Sequence, residues 1–217
     1  MMAMLLKYIH VDKEDLYFTK IGDHNLILHY SVYPPSEDTF FVIDALSDFL
    51  NCSDHKKVAE PCTGSGLISI KLALLGAEVL SSDINLLACY VAKENLKRNT
   101  LYYNANVVCG NLLDFIKEEC LSQIICNPPY LPESRKDLDS FSWWNGGKSG
   151  VSLIEKLIVS AKRVLKRGGG LLFLASSLSN LNKVKELLTS HGLLLKQTVT
   201  KDLDDEKIVI FYAIKRT

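Results

Sequence analysis

Between Lys57 and Ser190 the sequence alternates short apolar runs with amphipathic stretches, then ends in two strand-like runs in succession. No other feature narrows the possible folds as much. The runs near Lys57–Glu60, Glu78–Ser82, Asn106–Cys109, Gln123–Cys126 and Gly170–Ala175 predict strands. Leu67–Leu75, Asn85–Lys97, Val151–Leu165 and Leu181–Ser190 carry apolar residues at helical spacing. Strands that alternate with helices predict an α/β domain around a mostly parallel sheet. Leu193–Thr200 and Lys207–Ile214, joined by the acidic turn Asp202–Asp205, predict a terminal antiparallel hairpin that brings the sheet to seven strands.

Upstream, Thr39–Leu50 places Phe40, Ile43, Leu46 and Leu50 on one helical side, behind the acidic pair Glu37-Asp38 that suits a helix N-terminus. A polar link, Asn51–Lys56, leads into the first strand. Residues 15–32 alternate apolar and polar around Gly22-Asp23, predicting a small hairpin that serves as a lid or flank. The expected division is an N-terminal hairpin extension over residues 1–33 and one catalytic domain over 34–217. A chain of 217 residues leaves little room for a second domain.

Lys+Arg and Asp+Glu are both 25, so no global basic field draws the chain to nucleic acid. The six cysteines (Cys52, Cys62, Cys89, Cys109, Cys120, Cys126) contain no C-x-x-C pair and are expected to be reduced. The five histidines lack ligand spacing, so no metal is expected. Met1–Leu6 and the later apolar runs are too short to span a membrane, which predicts a cytoplasmic protein without membrane contact.

The turn after the first strand reads Glu60-Pro61-Cys62-Thr63-Gly64-Ser65-Gly66. Glycines there let the backbone turn sharply and approach a ligand at a helix N-terminus. Asp83 follows at the end of the second strand, 23 positions after Glu60, near the spacing at which a carboxylate accepts ribose hydroxyls. It can also cap the helix that begins near Asn85. A nicotinamide dinucleotide is disfavoured, because the position of its third glycine is Ser69 and Glu60 would repel a pyrophosphate. Glu60 suits an ammonium-bearing ligand such as S-adenosylmethionine.

The fourth strand ends in Asn127-Pro128-Pro129-Tyr130. Two prolines fix φ and remove donors, leaving the Asn127 amide oxygen and the Pro128 carbonyl as neighbouring acceptors for both hydrogens of an NH₂ group. An amide or aromatic amine nitrogen is a poor nucleophile, and holding both N–H bonds aims its lone pair at a methyl group. Tyr130 can stack on the planar acceptor. These four residues are the expected catalytic set.

The chain resembles the HemK/PrmC release-factor glutamine methyltransferases in their short archaeal and eukaryotic form. The resemblance rests on Val32-Tyr33-Pro34-Pro35-Ser36-Glu37-Asp38-Thr39, the glycine turn, Asn127-Pro128-Pro129-Tyr130 and Trp144-Asn145-Gly146-Gly147-Lys148-Ser149-Gly150. It implies a Rossmann-like class I methyltransferase fold and S-adenosylmethionine as cofactor. It further implies that Thr39, Glu60, Gly64, Gly66 and Asp83 contact the methyl donor, while Asn127 and the residues after it hold a glutamine. As substrate it implies the Gly-Gly-Gln loop of a class I peptide chain release factor, and as partner a small zinc-binding activator protein. Two positions depart from the pattern. Cys62 stands where the first glycine is usual, and Asn111, next to Leu112, stands where an acidic residue meets the adenine amino group. Cys62, Asn111, Leu112 and Asn127 complete the expected cofactor set, with Asp114 a substitute for Asn111.

An N6-adenine or N2-guanine methyltransferase acting on RNA or DNA remains the alternative, because the motif recognises a planar NH₂ without distinguishing its source. A catalytically silent binding subunit is a third reading. Trp143 and Trp144 read as a substrate wall or a packed loop. Lys162, Arg163, Lys166 and Arg167 are expected to form the basic end of a helix that Gly168-Gly169-Gly170 terminates. Val107-Val108-Cys109 is expected on an edge strand, where the activator adds a strand of its own.

Overall fold

The computed structural model describes residues 15–49, 57–132, 146–147 and 149–216. The Met-rich start, the link Asn51–Lys56, Trp143, Trp144, Asn145 and Lys148 lie outside the described residues. The elements run β1 (Leu16–Ile21), β2 (His24–His29), α1 (Glu37–Phe49), β3 (Lys57–Pro61), α2 (Leu67–Leu74), β4 (Glu78–Asp83), α3 (Leu86–Arg98), β5 (Ala105–Cys109) and β6 (Leu121–Cys126). After them come α4 (Ser152–Val164), β7 (Leu165–Ser176), α5 (Leu181–Ser190), β8 (Leu193–Asp202) and β9 (Lys207–Lys215).

Seven strands form one sheet in the order β5-β4-β3-β6-β7-β9-β8. β3 to β7 are parallel, and β9 pairs antiparallel with both β7 and β8. The α/β fold and the closing hairpin therefore stand as expected. The central strands are buried on both faces, so period-two alternation sends successive side chains into two separate cores. Ile124, Cys126, Phe173 and Phe211 join the core beneath α4 and α5, whereas Ile125, Leu172, Leu174 and Ile210 join the one beneath α1 and α2. Phe173 and Phe211 are direct cross-strand partners, stacked at 5.4 Å between ring centroids. Among the described residues no helix is long and apolar enough to cross a membrane.

The basic helix end is not formed as expected. α4 stops at Val164, and Leu165 turns extended at φ −69°, ψ 138° to pair with Leu121. Burying Leu165 completely in the sheet outweighs continuing the helix to the glycines. Lys166 and Arg167 thus belong to β7, in the irregular stretch before Gly170 pairs with Gln123. Arg163 instead donates to the carbonyls of Leu113 and Ile116, fastening the loop after β5.

β1 and β2 pair only with each other and pack on α3. A two-stranded sheet is marginal alone, and buried Asn95 of α3 supplies the attachment. Its Oδ1 accepts from the Ile27 N–H at 2.7 Å, and its Nδ2 donates to the carbonyls of Ile27 (2.9 Å) and Ser65 (2.8 Å). One side chain thereby ties the hairpin to the glycine turn. Asn95→Leu leaves three buried backbone groups without their partner and is expected to cost about 2 kcal/mol. Urea denaturation checks this, and an unchanged midpoint would show that the hairpin is held by its apolar face alone.

Candidate active site

The chain order reverses direction between β3 and β6, and at such a switch point the loops leaving the strand C-termini part to form a crevice. Here the crevice is a cavity of about 830 Å³, walled by the turns after β3, β4, β5 and β6 and by the segment leading into α1. Its volume suits a nucleoside-sized ligand together with an acceptor group.

At its β3 side the chain turns through three left-handed residues, Cys62 (φ 61°), Gly64 (φ 52°) and Gly66 (φ 79°). Cys62 occupies a conformation that costs a non-glycine residue about 1 kcal/mol, which explains why glycine is usual there. Cys62 and Gly64 line the cavity, and Gly66 does not. A Cβ at Gly66 would lie 2.9 Å from the Cα and Cβ of Ala92. The close approach to Ala92 lets the start of α2 dock on α3.

Glu60 lines the cavity yet is 1% exposed. Its Oε2 accepts from Thr63 Oγ1 at 2.8 Å and from Ser69 Oγ, which also meets Ser81 Oγ. Burial pushes its carboxyl up to about 8, against the opposing pull of the Ser69 and Thr63 hydrogen bonds. Ser69 thus supports the carboxylate at the position where a dinucleotide site would need glycine.

Asp83 accepts from the Gly64 N–H at 3.0 Å and the Asn85 N–H at 2.9 Å, and burial raises its carboxyl. The helix cap falls to Asn85, whose side chain accepts from Leu87 N–H at 2.9 Å. Asp83 is accordingly left to brace the glycine turn and face the cavity. Asn111 and Leu112 line the wall after β5. Leu112 is left-handed at φ 45°, and its carbonyl accepts from Ser82 Oγ at 2.7 Å. Asp114, behind the cavity wall, accepts from the Asn111 Nδ2 at 2.8 Å. That bond directs the Asn111 amide and leaves its oxygen to accept.

At the β6 side lie Asn127, Pro128, Pro129 and Tyr130, all on the cavity wall. Among the described residues the buried Asn127 Oδ1 has no hydrogen-bond partner, an arrangement that native proteins avoid unless something else fills it. The motif's backbone is braced from behind. Ser179 Oγ donates to the Tyr130 carbonyl, and Gly146 and Gly150 pass so close that a Cβ on Gly146 would lie 2.9 Å from the Pro129 carbonyl. Close backbone packing thus explains Gly146 and Gly150, whereas Gly147 is left-handed at φ 82° and abuts the Ser152 side chain.

Thr39 lies on the same wall, in the first turn of α1. Beside it is the residue that the sequence reading underrated. Asp38, 4% exposed, accepts from Tyr33, Ser36, Thr39 and Tyr130. Burial, with the Asp38 charge added, raises the Tyr33 and Tyr130 phenols well above their ordinary range. The spacing of Tyr33, Ser36, Asp38 and Thr39 was the available signal. Glu206 and Lys156 also reach the cavity and were not singled out, because one ends an acidic turn and the other sits on an amphipathic helix.

Comparison with known proteins agrees with this architecture. Residues 41–200 match the family model for the methyltransferase small domain. The chain is 36% identical over 170 residues to a protein of Methanocaldococcus jannaschii named for N5-glutamine methyltransferase activity, covering 75% of this chain and 83% of that one. It is 29% identical over 176 residues to the release factor glutamine methyltransferase of Clostridium acetobutylicum, covering 76% of this chain but only 61% of that longer protein. Among solved structures, the Mtq2–Trm112 complex of E. cuniculi, described as responsible for methylation of the eRF1 termination factor, superposes with a TM-score of 0.63. Identity there is 26%, over 85% of this chain and 98% of the other. With the family model matching residues 41–200 and a relative 36% identical over 83% of its own length, the chain belongs to the methyltransferase small domain family, among its HemK/PrmC-type members.

Proposed function

We propose that the chain methylates the side-chain amide nitrogen of the glutamine in the Gly-Gly-Gln loop of a class I peptide chain release factor. The observation that carries this reading is the buried, unpartnered Oδ1 of Asn127 on the wall of a cavity that also holds a buried carboxylate at Glu60. The names of the relatives support the acceptor.

Glu60 and Asp83 would hold S-adenosylmethionine, Glu60 through its ammonium and Asp83 through its ribose hydroxyls, with Gly64, Cys62, Thr39, Asn111 and Leu112 along its length. The cofactor supplies an electrophilic methyl group on a sulfonium sulfur. Asn127 Oδ1 and the Pro128 carbonyl take the two N–H bonds of the acceptor amide and turn its lone pair toward that methyl. Both accept with fixed dipoles, so positive charge growing on nitrogen is stabilised without reorganisation. Tyr130 walls the amide plane. Its raised phenol keeps it a donor rather than a base. We place the cytoplasm as the site of action, where release factors work.

A partner completes the proposal. β5 is an edge strand, and exposed Ile84 and Phe115 flank it. An open edge bordered by apolar side chains suits strand addition. We assign it to the small zinc-binding activator protein, in keeping with the two-protein assembly named for the E. cuniculi structure. Slowed hydrogen exchange in residues 105–109 on adding that protein is the expected result, and unchanged exchange rejects the assignment.

The raised Glu60 carboxyl gives a pH signature. In the free protein its carboxyl lies at about 8 against an ordinary 4.5, so folding retains its proton across that window and stability from this group falls as pH rises from 4.5 to 8. A cation beside it favours the ionised form, so binding releases a proton. Methyl-donor affinity is expected to rise with pH by up to about tenfold per unit between roughly pH 6 and 8, then decline as the ligand's α-amino group, near 7.7–8.0, loses its charge. Calorimetry across pH tests it. Glu60→Gln should weaken binding and flatten the rising limb, and an unchanged limb would remove Glu60 from the ammonium site.

The acceptor is decided by mass spectrometry after incubation with methyl donor, partner and either purified release factor or total tRNA and rRNA. One methyl on the Gly-Gly-Gln glutamine supports the proposal. Methylated adenine or guanine beside an untouched release factor overturns it.

A further inference from the structure

Asp38 is a buried carboxylate that the mechanism above leaves unused. Taking such a group out of water is costly unless every lone pair finds a donor. Its Oδ1 accepts from the Thr39 N–H at 2.5 Å, Thr39 Oγ1 at 3.2 Å and Ser36 Oγ at 2.7 Å, and its Oδ2 from Tyr33 at 2.9 Å and Tyr130 at 3.1 Å. The Tyr33 and Ser36 hydroxyls also lie 2.5 Å apart, so one of them donates to the other. Thr39 twice, Tyr130 and at least one of that pair therefore donate to Asp38 together. A carboxylate has about four lone-pair sites, and these are filled. No capacity is left for a substrate proton.

The partners lie on opposite halves of the cavity. Thr39 stands in the first turn of α1 among the methyl-donor contacts, and Tyr130, 92 positions from Asp38 in sequence, closes the acceptor motif. Tyr130 is also held by apolar packing against both cores and by Ser179 at its carbonyl, while among the described residues Asp38 is the hydrogen-bond partner of its hydroxyl. We infer that Asp38 is a positioning residue that clamps the Tyr130 ring and the Thr39 turn to one another, and so sets the approach of acceptor nitrogen to methyl donor. This rests on the methyltransferase reading of the cavity, though not on which NH₂-bearing acceptor enters it. Approach geometry enters the rate steeply, since near-attack alignment carries much of a transfer reaction's barrier.

The test compares Asp38→Ala, Asp38→Asn, Tyr130→Phe and the double variant Asp38→Ala/Tyr130→Phe, each with its partner protein. Steady-state methyl transfer, methyl-donor affinity and thermal midpoint are measured. Asp38→Ala and Tyr130→Phe are each expected to lower kcat by about 30-fold to 100-fold, with KM for the acceptor changed only a few-fold. The double variant should be no worse than the poorer single one, because both break the same clamp. Asp38→Asn should recover most of kcat, since its amide oxygen still accepts from Thr39 and its NH₂ donates to the Tyr130 hydroxyl. Its pH–rate profile should match that of the unaltered chain. Additive losses, or an Asp38→Asn variant as slow as Asp38→Ala and lacking a limb of the pH profile, would overturn the inference in favour of separate roles or a direct proton acceptor. Unaltered kcat with a lowered thermal midpoint would reduce Asp38 to a fold-stabilising residue.

If the unaltered chain transfers methyl to RNA and not to release factor, the acceptor proposal fails while the same series on RNA still tests the clamp. If neither acceptor turns over, a crystal structure of Asp38→Ala decides it. A displaced Tyr130 ring supports the clamp and an unmoved ring refutes it.

Discussion

Asn127→Ala is expected to lower kcat by about a thousandfold while changing methyl-donor affinity no more than a few-fold. Removing one preorganised dipole from a dry site costs about 10²–10³ in rate, and this residue both stabilises developing charge and orients the nucleophile, which places it at the upper end. Among the described residues Asn127 Oδ1 makes no hydrogen bond, so deleting it breaks none of those that hold the fold and should not destabilise it. A thermal midpoint equal to or above that of the unaltered chain, combined with lost turnover, is the signature of a group kept for function rather than stability. Quantitative mass spectrometry of methylated product, with calorimetry for the methyl donor, provides both readings. A kcat within tenfold of the unaltered chain would remove Asn127 from the catalytic set.

The second large effect is expected at Gly150, whose φ is +66°. An added Cβ would lie 2.5 Å from the Tyr130 carbonyl and would also strike Ser179 Oγ, the donor to that carbonyl. Left-handed strain of about 1–2 kcal/mol and overpacking against backbone of about 1–3 kcal/mol together make Gly150→Ala worth roughly 4 kcal/mol. Because Tyr130 must move to relieve the clash, activity should fall more than stability alone accounts for. Gly192→Ala is the control. Its φ is +74°, but nothing lies within 4 Å of the added methyl, so only the backbone strain of about 1–2 kcal/mol is expected, with kcat intact. Equal destabilisation of the two variants in urea denaturation would show that the packing behind Tyr130 is looser than the distances indicate.

Much of the fold was legible because its elements announce themselves locally. Strand and helix periodicities follow from which side chains must reach the core, and two strand-like runs without an intervening helix can close a sheet only as an antiparallel hairpin. The helix at Val151–Leu165 was nearly right for the same reason, since Ile154, Leu157, Ile158, Ala161 and Val164 mark one face. Its last turn misled, because three glycines look like a helix stop while the pairing of Leu165 with Leu121 is a long-range choice.

The site divides along the same line. The chemistry in hand is legible from residue type and place after a strand: the glycine turn, the carboxylates at Glu60 and Asp83, and two adjacent acceptors at Asn127 and Pro128. The close packing of Gly66 on Ala92 and the bond from Asn111 to Asp114 arise in the assembled tertiary structure. It also brings Tyr130 to Asp38, 92 positions away, where Tyr33 already bonds. The physical reason is that a side chain's chemistry is local, whereas its burial, and hence whether a carboxylate is solvated, protonated or saturated with donors, depends on segments that meet only when the sheet is assembled.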